Sequence, residues 1–292
     1  MILIADSGST KTDWTLLNGD SVVRTCSTLG TNPVHQTDDA ISAVFAEARQ
    51  ALDVAGNVDK LRVMFYGAGC IAEQTERMRR LLTEVLLHSA PAESHDSLAS
   101  RSRVAVYSDL LAACHALCGH QEGVACILGT GSNSCLYDGE QVVANTPPLG
   151  YILGDEGSGA VLGKNFLNAL FKGRLPESMK WEFLDAYGLT YADVIRRVYR
   201  EPMANRFLAS FSPFIHDHLH VETVRQLVID NFRAFLHRNV RPYGRPDLPV
   251  HAIGSLAYHY RVELEAAAAQ EGFSLGAIEK SPINGLLSYY HE

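Results

Sequence analysis

Two stretches decide how this chain is read: ILGTGSNS at residues 127–134 and LGYILGDEGSG at residues 149–159. The first runs from an apolar strand pattern, Val124–Leu128, into Gly129-Thr130-Gly131-Ser132-Asn133. The second sets Asp155 and Glu156 between Gly154 and Gly157, just ahead of a helical pattern over Gly159–Lys172. Glycine turns let backbone N–H groups approach an anion with no Cβ in the way. The helix start after the second turn adds free N–H donors and the positive end of a dipole, which favour phosphate or carboxylate. Two such turns with a carboxylate pair beside the second predict a nucleotide and a polar substrate at one site.

Working outward, the same pattern occurs earlier in the chain. Ile2–Asp6 reads as a strand into SGSTKTD, Trp14–Leu17 as a second strand, Asn18-Gly19 as a hairpin turn and Ser21–Cys26 as a third strand. Val124–Leu128, a glycine turn, Ser134–Tyr137, Asp138-Gly139 and Gln141–Ala144 repeat that order, so the chain reads as a duplication of pattern rather than of residue identity. Helical spacing appears over Asp38–Leu52, around Met78–Leu86, after Asp109, and over Val221–Val240, which RPYGRPDLP ends. Leu61–Tyr66, Val104–Ser108 and Val250–Ile253 read as buried strands, and Ala90–Arg103 as an exposed excursion. Thr190 and Asp193 resemble a capping box. Ala257–Gln270 reads as one helix closed by Gly272, and SPINGLLSYYHE as a short final helix.

Composition narrows the class. The chain has 292 residues, 47% hydrophobic and 20% charged, which predicts a globular protein of two domains. A net charge of −8 argues against nucleic acid or an anionic membrane as the main partner. No apolar run reaches the roughly 18 residues of a membrane helix, and MILIAD lacks the basic start of a signal peptide. Cys26, Cys70, Cys114, Cys118, Cys126 and Cys135 form no CxxC pair and no zinc spacing, which points to free thiols in a reducing cytoplasm.

Two common signatures fail. Gly8-Ser9-Thr10-Lys11-Thr12 ends like a Walker A loop but lacks its glycine spacing, and Gly129-Thr130-Gly131 lacks the third glycine of a dinucleotide fingerprint. The chain instead resembles the acetate/sugar kinase–heat-shock ATPase–actin superfamily. Asp6-Ser-Gly8-Ser9-Thr10-Lys11-Thr12 is similar to its first phosphate loop and Gly129-Thr130-Gly131-Ser132 to its second. Tyr107-Ser108-Asp109 is similar to the segment bearing the catalytic carboxylate, and Ala252-Ile-Gly254-Ser255 to the adenosine segment. GTGSN followed by GDEGSG resembles the N-acetylglucosamine kinase branch, grouped with the BadF/BadG/BcrA/BcrD ATPases.

That resemblance implies an α/β fold of two duplicated ribonuclease-H-like lobes with an ATP and substrate cleft between them. The expected lobes are 1–118 with the returning tail 280–292, and 119–279. It implies ATP and Mg²⁺ as cofactors, and phosphorylation of N-acetylglucosamine to its 6-phosphate. Asp109 takes the place of the general base, and Asp6 that of the carboxylate holding hydrated Mg²⁺. Asn32, Ser132, Asn133, Gly150 and Asp155 fall on sugar-contacting positions. Ser9, Thr10, Lys11, Thr12, Gly129, Thr130 and Gly131 fall on phosphate-contacting positions, and Gly254 and Ser255 lie where the adenosine is bound. Pro147-Pro148-Leu149 departs from the family's Gly-rich or Trp-containing sequence, which leaves the amino sugar open among N-acetylglucosamine, N-acetylmuramic acid, N-acetylmannosamine and glucosamine. A homodimer is compatible with this reading.

Taken singly, each residue has a plainer reading. Asp6 serves as a strand-end turn former, Asp109 as a helix N-cap, Asp155-Glu156 as a first-turn acidic pair, and Asn32-Pro33 as a turn. Cys114 and Cys118, four apart on a helix, read as buried thiols, and His216, His218 and His220 as a solvated segment. An ATPase that activates a dehydratase or reductase is the alternative function, but it needs interface cysteines on an iron–sulfur cluster. A sugar-sensing regulator would need a DNA-binding segment ahead of Ile2.

Overall fold

The computed structural model describes residues 1–8, 10–54, 61–87 and 103–291. Ser9 and most of the expected 90–103 excursion lie outside the described residues. The chain divides into two compact units, Met1–Ala116 with Pro282–Glu292, and Leu117–Ser281.

The first unit is built on a five-stranded sheet. β1 (Ile2–Ser7), β2 (Lys11–Asn18) and β3 (Ser21–Leu29) form an antiparallel meander, and β4 (Arg62–Gly67) and β5 (Val104–Ser108) join it in parallel, in the order β3-β2-β1-β4-β5. Strand β1 is central, and its alternation serves two layers. Leu3 and Ala5 pack with Trp14, Phe45 and Phe65 in one cluster, while Ile4 packs with Leu17, Met64 and Tyr66 in another. Burying a side chain of this size stabilises the fold by roughly 1.5–3 kcal/mol.

Helix α1 (Asp38–Leu52) covers the first layer with Ile41, Val44, Phe45, Ala48 and Leu52, the residues whose spacing predicts it. Thr37 caps it by accepting the Ala40 N–H at 3.4 Å. Helix α2 (Ala72–Leu82) continues into a π turn at Thr83–Leu87. The second layer is covered by α3 (Asp109–Cys118) and the C-terminal α13 (Ile283–His291), which contribute Ala112 and Leu286.

The second unit repeats the sheet. Strands β6 (Gly123–Leu128), β7 (Ser132–Tyr137) and β8 (Val142–Ala144) form the meander, and β9 (Val250–Ile253) and β10 (Leu275–Glu279) join in parallel, in the order β10-β9-β6-β7-β8. Read from its first strand, this is the order of the first sheet. The duplication seen as a turn-and-strand pattern is therefore a duplication of topology.

Helices α4 (Gly150–Leu153), α5 (Gly159–Phe171), α6 (Glu177–Tyr187), α7 (Tyr191–Tyr199), α8 (Ala204–Ala209), α9 (Ser212–Asp217) and α10 (Glu222–Phe235) fill the long connection from β8 to β9. Their apolar faces meet around Phe166, Phe183, Phe211, Phe214 and Phe232. The capping box at Thr190 and Asp193 is formed in both directions. The single helix expected over Val221–Val240 instead stops being α-helical at Phe235 and passes through a π turn, Leu236–Val240. The helix expected over Ala257–Gln270 is two, α11 (Ser255–His259) and α12 (Arg261–Glu271). Strand β10 and helices α6, α8 and α9 carry no periodic pattern strong enough to be read beforehand.

Candidate functional site

In the first unit the candidate residues gather at the carboxyl ends of β1, β4 and β5, the edge where open α/β sheets place ligands. Strand register puts Asp13, Asp6, Tyr66 and Tyr107 in one row across four strands. Asp6 is a residue of the strand itself rather than of the turn after it. Burial pushes its carboxyl up to about 7, the neighbouring charges of Asp13 and Asp109 push in the same direction, and Lys11 opposes them.

The first glycine turn closes with Gly8 N–H donating to the Lys11 carbonyl at 3.0 Å. Thr10 and Lys11 are exposed beside it, and Lys11 pairs with Asp13 at 2.7 Å. Thr12 is different. Its hydroxyl is buried, bonded to Ser7 Oγ at 2.7 Å, and donates to the Leu29 carbonyl at 3.1 Å. Thr12 thus ties β1, β2 and the end of β3 together, while Thr10 is the hydroxyl presented outward.

Asp109 opens α3, but it is not the cap. Ser108 Oγ accepts the Leu111 N–H at 3.2 Å, the bond an N-cap makes, and Asp109 Oδ1 accepts the adjacent Leu110 N–H at 2.9 Å. Burial raises the Asp109 carboxyl, against the pull of its backbone hydrogen bonds. Asn32 forms the turn its sequence predicts, with Oδ1 accepting from Val34 N–H at 3.0 Å and its own N–H donating to Gln36 Oε1 at 2.6 Å.

In the second unit the two glycine stretches are hydrogen-bonded to one another. The Gly129 and Thr130 carbonyls accept the N–H groups of Gly159 and Ala160 at 2.8 and 3.1 Å, and Ser158 Oγ takes that of Val161 at 3.1 Å. The donors expected to be free at the start of α5 are therefore used, and that helix end is no anion site. The loops satisfy each other because both must be anchored to the same sheet edge, and buried N–H groups are almost always paired. Gly129 N–H likewise donates to the Gly131 carbonyl at 3.0 Å.

What the interlocking does is hold the acidic pair. Asp155 sits at φ 53°, a left-handed conformation uncommon for a non-glycine residue. Its Oδ1 lies 3.5 Å from Ser132 N, and a Cβ built on Gly131 would stand 3.2 Å from its Oδ2. Burial raises the Asp155 carboxyl and the Glu156 charge adds to this, while Ser132 N–H and Lys164 oppose it. Glu156 faces elsewhere. Burial pushes it up, but hydrogen bonds from Arg238 at 2.8 Å and Asn239 at 3.3 Å outweigh that and hold it below the usual carboxylate range.

Ser132 Oγ donates to the Glu156 carbonyl at 2.7 Å, so this hydroxyl fastens the turn. Asn133 Oδ1 accepts from Asn145 Nδ2 at 2.9 Å and from Ser134 N–H at 2.9 Å. Gly150 opens the four-residue α4 at φ 71°. Gly254, at φ 123°, donates its N–H to the Glu279 carbonyl at 2.9 Å, and a Cβ there would meet Leu128 O at 2.3 Å. Ser255 is exposed at the start of α11.

Sequence reasoning missed the residues that support this turn. Asn231 accepts the Gly157 N–H at 3.3 Å and donates to the Ser158 carbonyl at 3.2 Å, and the π turn after α10 brings Arg238 and Asn239 to Glu156. The signal available was a buried-position asparagine in an otherwise apolar helix pattern. Tyr66 was also missed; its hydroxyl bonds His115 Nδ1 at 2.8 Å and Tyr290 OH at 2.7 Å, and its ring stacks on Tyr107 at 5.0 Å.

The donor set fits the groups the resemblance implies. Among the described residues no group of three or more His, Cys, Asp or Glu could hold a metal ion, so an ion bound near Asp6 would draw few ligands from the chain. That suits Mg²⁺, which keeps most of its waters and is completed by phosphate oxygens. Five of the six cysteines are buried. No described helix is long and apolar enough to cross a membrane.

No protein-family model matches the chain, and no curated protein does. Solved structures do. A candidate N-acetylglucosamine kinase from Porphyromonas gingivalis is 47% identical, with 100% of this chain and 99% of that chain covered and a TM-score of 0.91. A candidate N-acetylglucosamine kinase from Chromobacterium violaceum, at 20% identity, 99% and 98% coverage and a TM-score of 0.72, shares the fold. So does the ROK hexokinase of Thermus thermophilus, at 14% identity, 99% and 97% coverage and a TM-score of 0.50. With nearly half of its residues shared over its whole length, the chain belongs to the N-acetylglucosamine kinase-like family, built on the two-lobed fold of the actin-like ATPases and sugar kinases.

Proposed function

We propose that the chain is an ATP-dependent sugar kinase whose acceptor is an N-acetylated amino sugar, with N-acetylglucosamine phosphorylated at its 6-hydroxyl. The observation that carries this is Asp109, a half-buried carboxylate at the end of a parallel strand that is released from helix capping by Ser108. A base for an alcohol must be near the sheet edge, unprotonated and not committed elsewhere. In this reading the Leu110 N–H bond to Oδ1 orients the Asp109 carboxylate, which accepts the sugar proton.

In this reading Asp155, with Ser132 and Gly131 fixing its position, accepts sugar hydroxyls. An aspartate can take two at once. Thr10 and Thr130 contact phosphate oxygens, and Asp6 holds the hydrated Mg²⁺, which neutralises charge on the transferring phosphoryl group. Gly254 and Ser255 lie against the adenosine. The resemblance of GTGSN and GDEGSG to the BadF-type branch agrees with this reading.

The test is a coupled ADP-release assay with Mg²⁺-ATP across N-acetylglucosamine, N-acetylmannosamine, N-acetylmuramic acid and glucosamine. Turnover with N-acetylglucosamine well above the no-sugar blank is expected. Turnover with none of the four, while basal ATP hydrolysis persists, would overturn the proposal and favour an ATPase of another kind.

A further inference from the structure

The second unit carries a groove of about 790 Å³ that the kinase reading does not use. Helix α4 forms one wall through Tyr151 and Ile152, α5 the floor through Leu167 and Phe171, and α7 the far wall through Tyr191 and Ile195. This volume is in the range of sites for drug-sized ligands, and the apolar lining with a few convergent polar groups is their usual character. Tyr191 and Tyr199 on its rim are 58% and 74% exposed, and the Tyr191 ring meets that of Phe171 edge-on at 5.2 Å.

Charge sets the occupant. The chain carries −8 overall, yet among the described residues the only charged side chains lining this groove are Lys164 and Lys172. Lys164 lies on α5, and Lys172 caps the C-terminal end of that helix. The acidic residues nearest in sequence on α7 and just after it, Asp193 and Glu201, are both paired to Arg196. Lys164 is also held in place, because its Nζ donates to the Tyr151 carbonyl at 2.8 Å, and its charge reaches Asp155 on one side and the groove on the other. Part of the entropy of ordering that side chain is thus already spent.

We infer that this groove is a binding site for a small amphipathic anion, an aromatic or aliphatic carboxylate whose apolar body lies on Phe171, Tyr191 and Ile195 and whose head meets Lys164 or Lys172. The flat exposed rings favour an aromatic body, which they stack against. A neutral ligand of the same shape loses the head-group contacts, and a dianionic nucleotide lacks the apolar body that the floor requires.

Calorimetric titration of the full chain with 2-naphthoate, and separately with its neutral isostere 2-naphthamide, tests this. We expect saturable one-to-one binding of 2-naphthoate at roughly millimolar affinity, as for a probe of this size. The amide should bind about fivefold more weakly, and the double variant Lys164→Gln/Lys172→Gln should lower naphthoate affinity by about five- to tenfold while leaving the amide unchanged. Tyr191→Ser should weaken both ligands. The inference fails if neither probe saturates, if acid and amide bind equally, or if the double variant binds naphthoate as the parent does. It also fails if sedimentation shows a dimer that Ile195→Asp dissociates, because the groove is then covered by a second copy of the chain.

Discussion

Ser108 caps the helix that Asp109 begins: its Oγ accepts the Leu111 N–H at 3.2 Å, while Asp109 Oδ1 accepts the N–H of its neighbour Leu110 at 2.9 Å. Two adjacent residues each suited to cap a helix have divided the work, so stability and chemistry at this sheet edge are separable. Asp109→Asn should leave the melting temperature almost unchanged and lower kcat by about 10²–10⁴-fold, the usual cost of removing a general base. Ser108→Ala should do the opposite, costing about 0.5–2 kcal/mol of stability with near-normal turnover of the folded fraction. A folded Asp109→Asn protein with near-parent kcat would take Asp109 out of the mechanism.

The second prediction concerns pH. Asp6 has its carboxyl raised from 3.8 to about 7 by burial and by the charges of Asp13 and Asp109. The folded chain therefore holds that proton more tightly than the unfolded chain does, and the contribution is fully present below about pH 4. It is lost as pH rises through about 7. In chelator-treated protein, Asp6→Asn should be more stable than the parent at pH 8 and show a flatter stability profile between pH 4 and 7. Denaturant midpoints across that interval decide it; parallel profiles for parent and variant would mean that Asp6 is not perturbed as described.

Asp155 yields a prediction about which substrate is affected. Asp155→Asn keeps the side-chain volume and tolerates the left-handed backbone at φ 53°, so the fold should survive. The sugar KM should rise with little change in the KM for ATP, because a ground-state acceptor of sugar hydroxyls is lost. Gly131→Ala should act in the same direction, since its Cβ would stand 3.2 Å from Asp155 Oδ2 and displace it. Equal losses for both substrates would show that Asp155 supports the whole turn.

A fourth prediction separates a structural glycine from a ligand-contacting one. At Gly254 a methyl group would meet the Leu128 carbonyl at 2.3 Å, with the backbone at φ 123°. Gly254→Ala should cost more than the roughly 1–3 kcal/mol of backbone strain alone and lower the melting temperature markedly. Ser255→Ala, at an exposed position, should leave stability unchanged and raise only the KM for ATP. A stable Gly254→Ala protein would mean that the approach of β9 to β6 is looser than described.

Much of this molecule is legible in its sequence alone. The apolar run of β1, the Asn18-Gly19 hairpin, the face of α1, the box at Thr190 and Asp193, and the repeated strand-turn order all depend on neighbours within a few residues. Such interactions are local and leave a pattern in the string. Only the tertiary structure decided whether Ser108 or Asp109 caps α3, that Thr12 faces inward while Thr10 faces out, and that the Gly129 and Thr130 carbonyls consume the donors at the start of α5. It also brought Asn231, Arg238 and Asn239 to the acidic turn by breaking α10 into a π turn. Each of those outcomes is a competition for one hydrogen-bond donor or acceptor, and in most of them the winning partner lies tens of residues away along the chain. Where the competitors are adjacent, as at Ser108 and Asp109, both residue types suit the position, and the backbone geometry chooses between them.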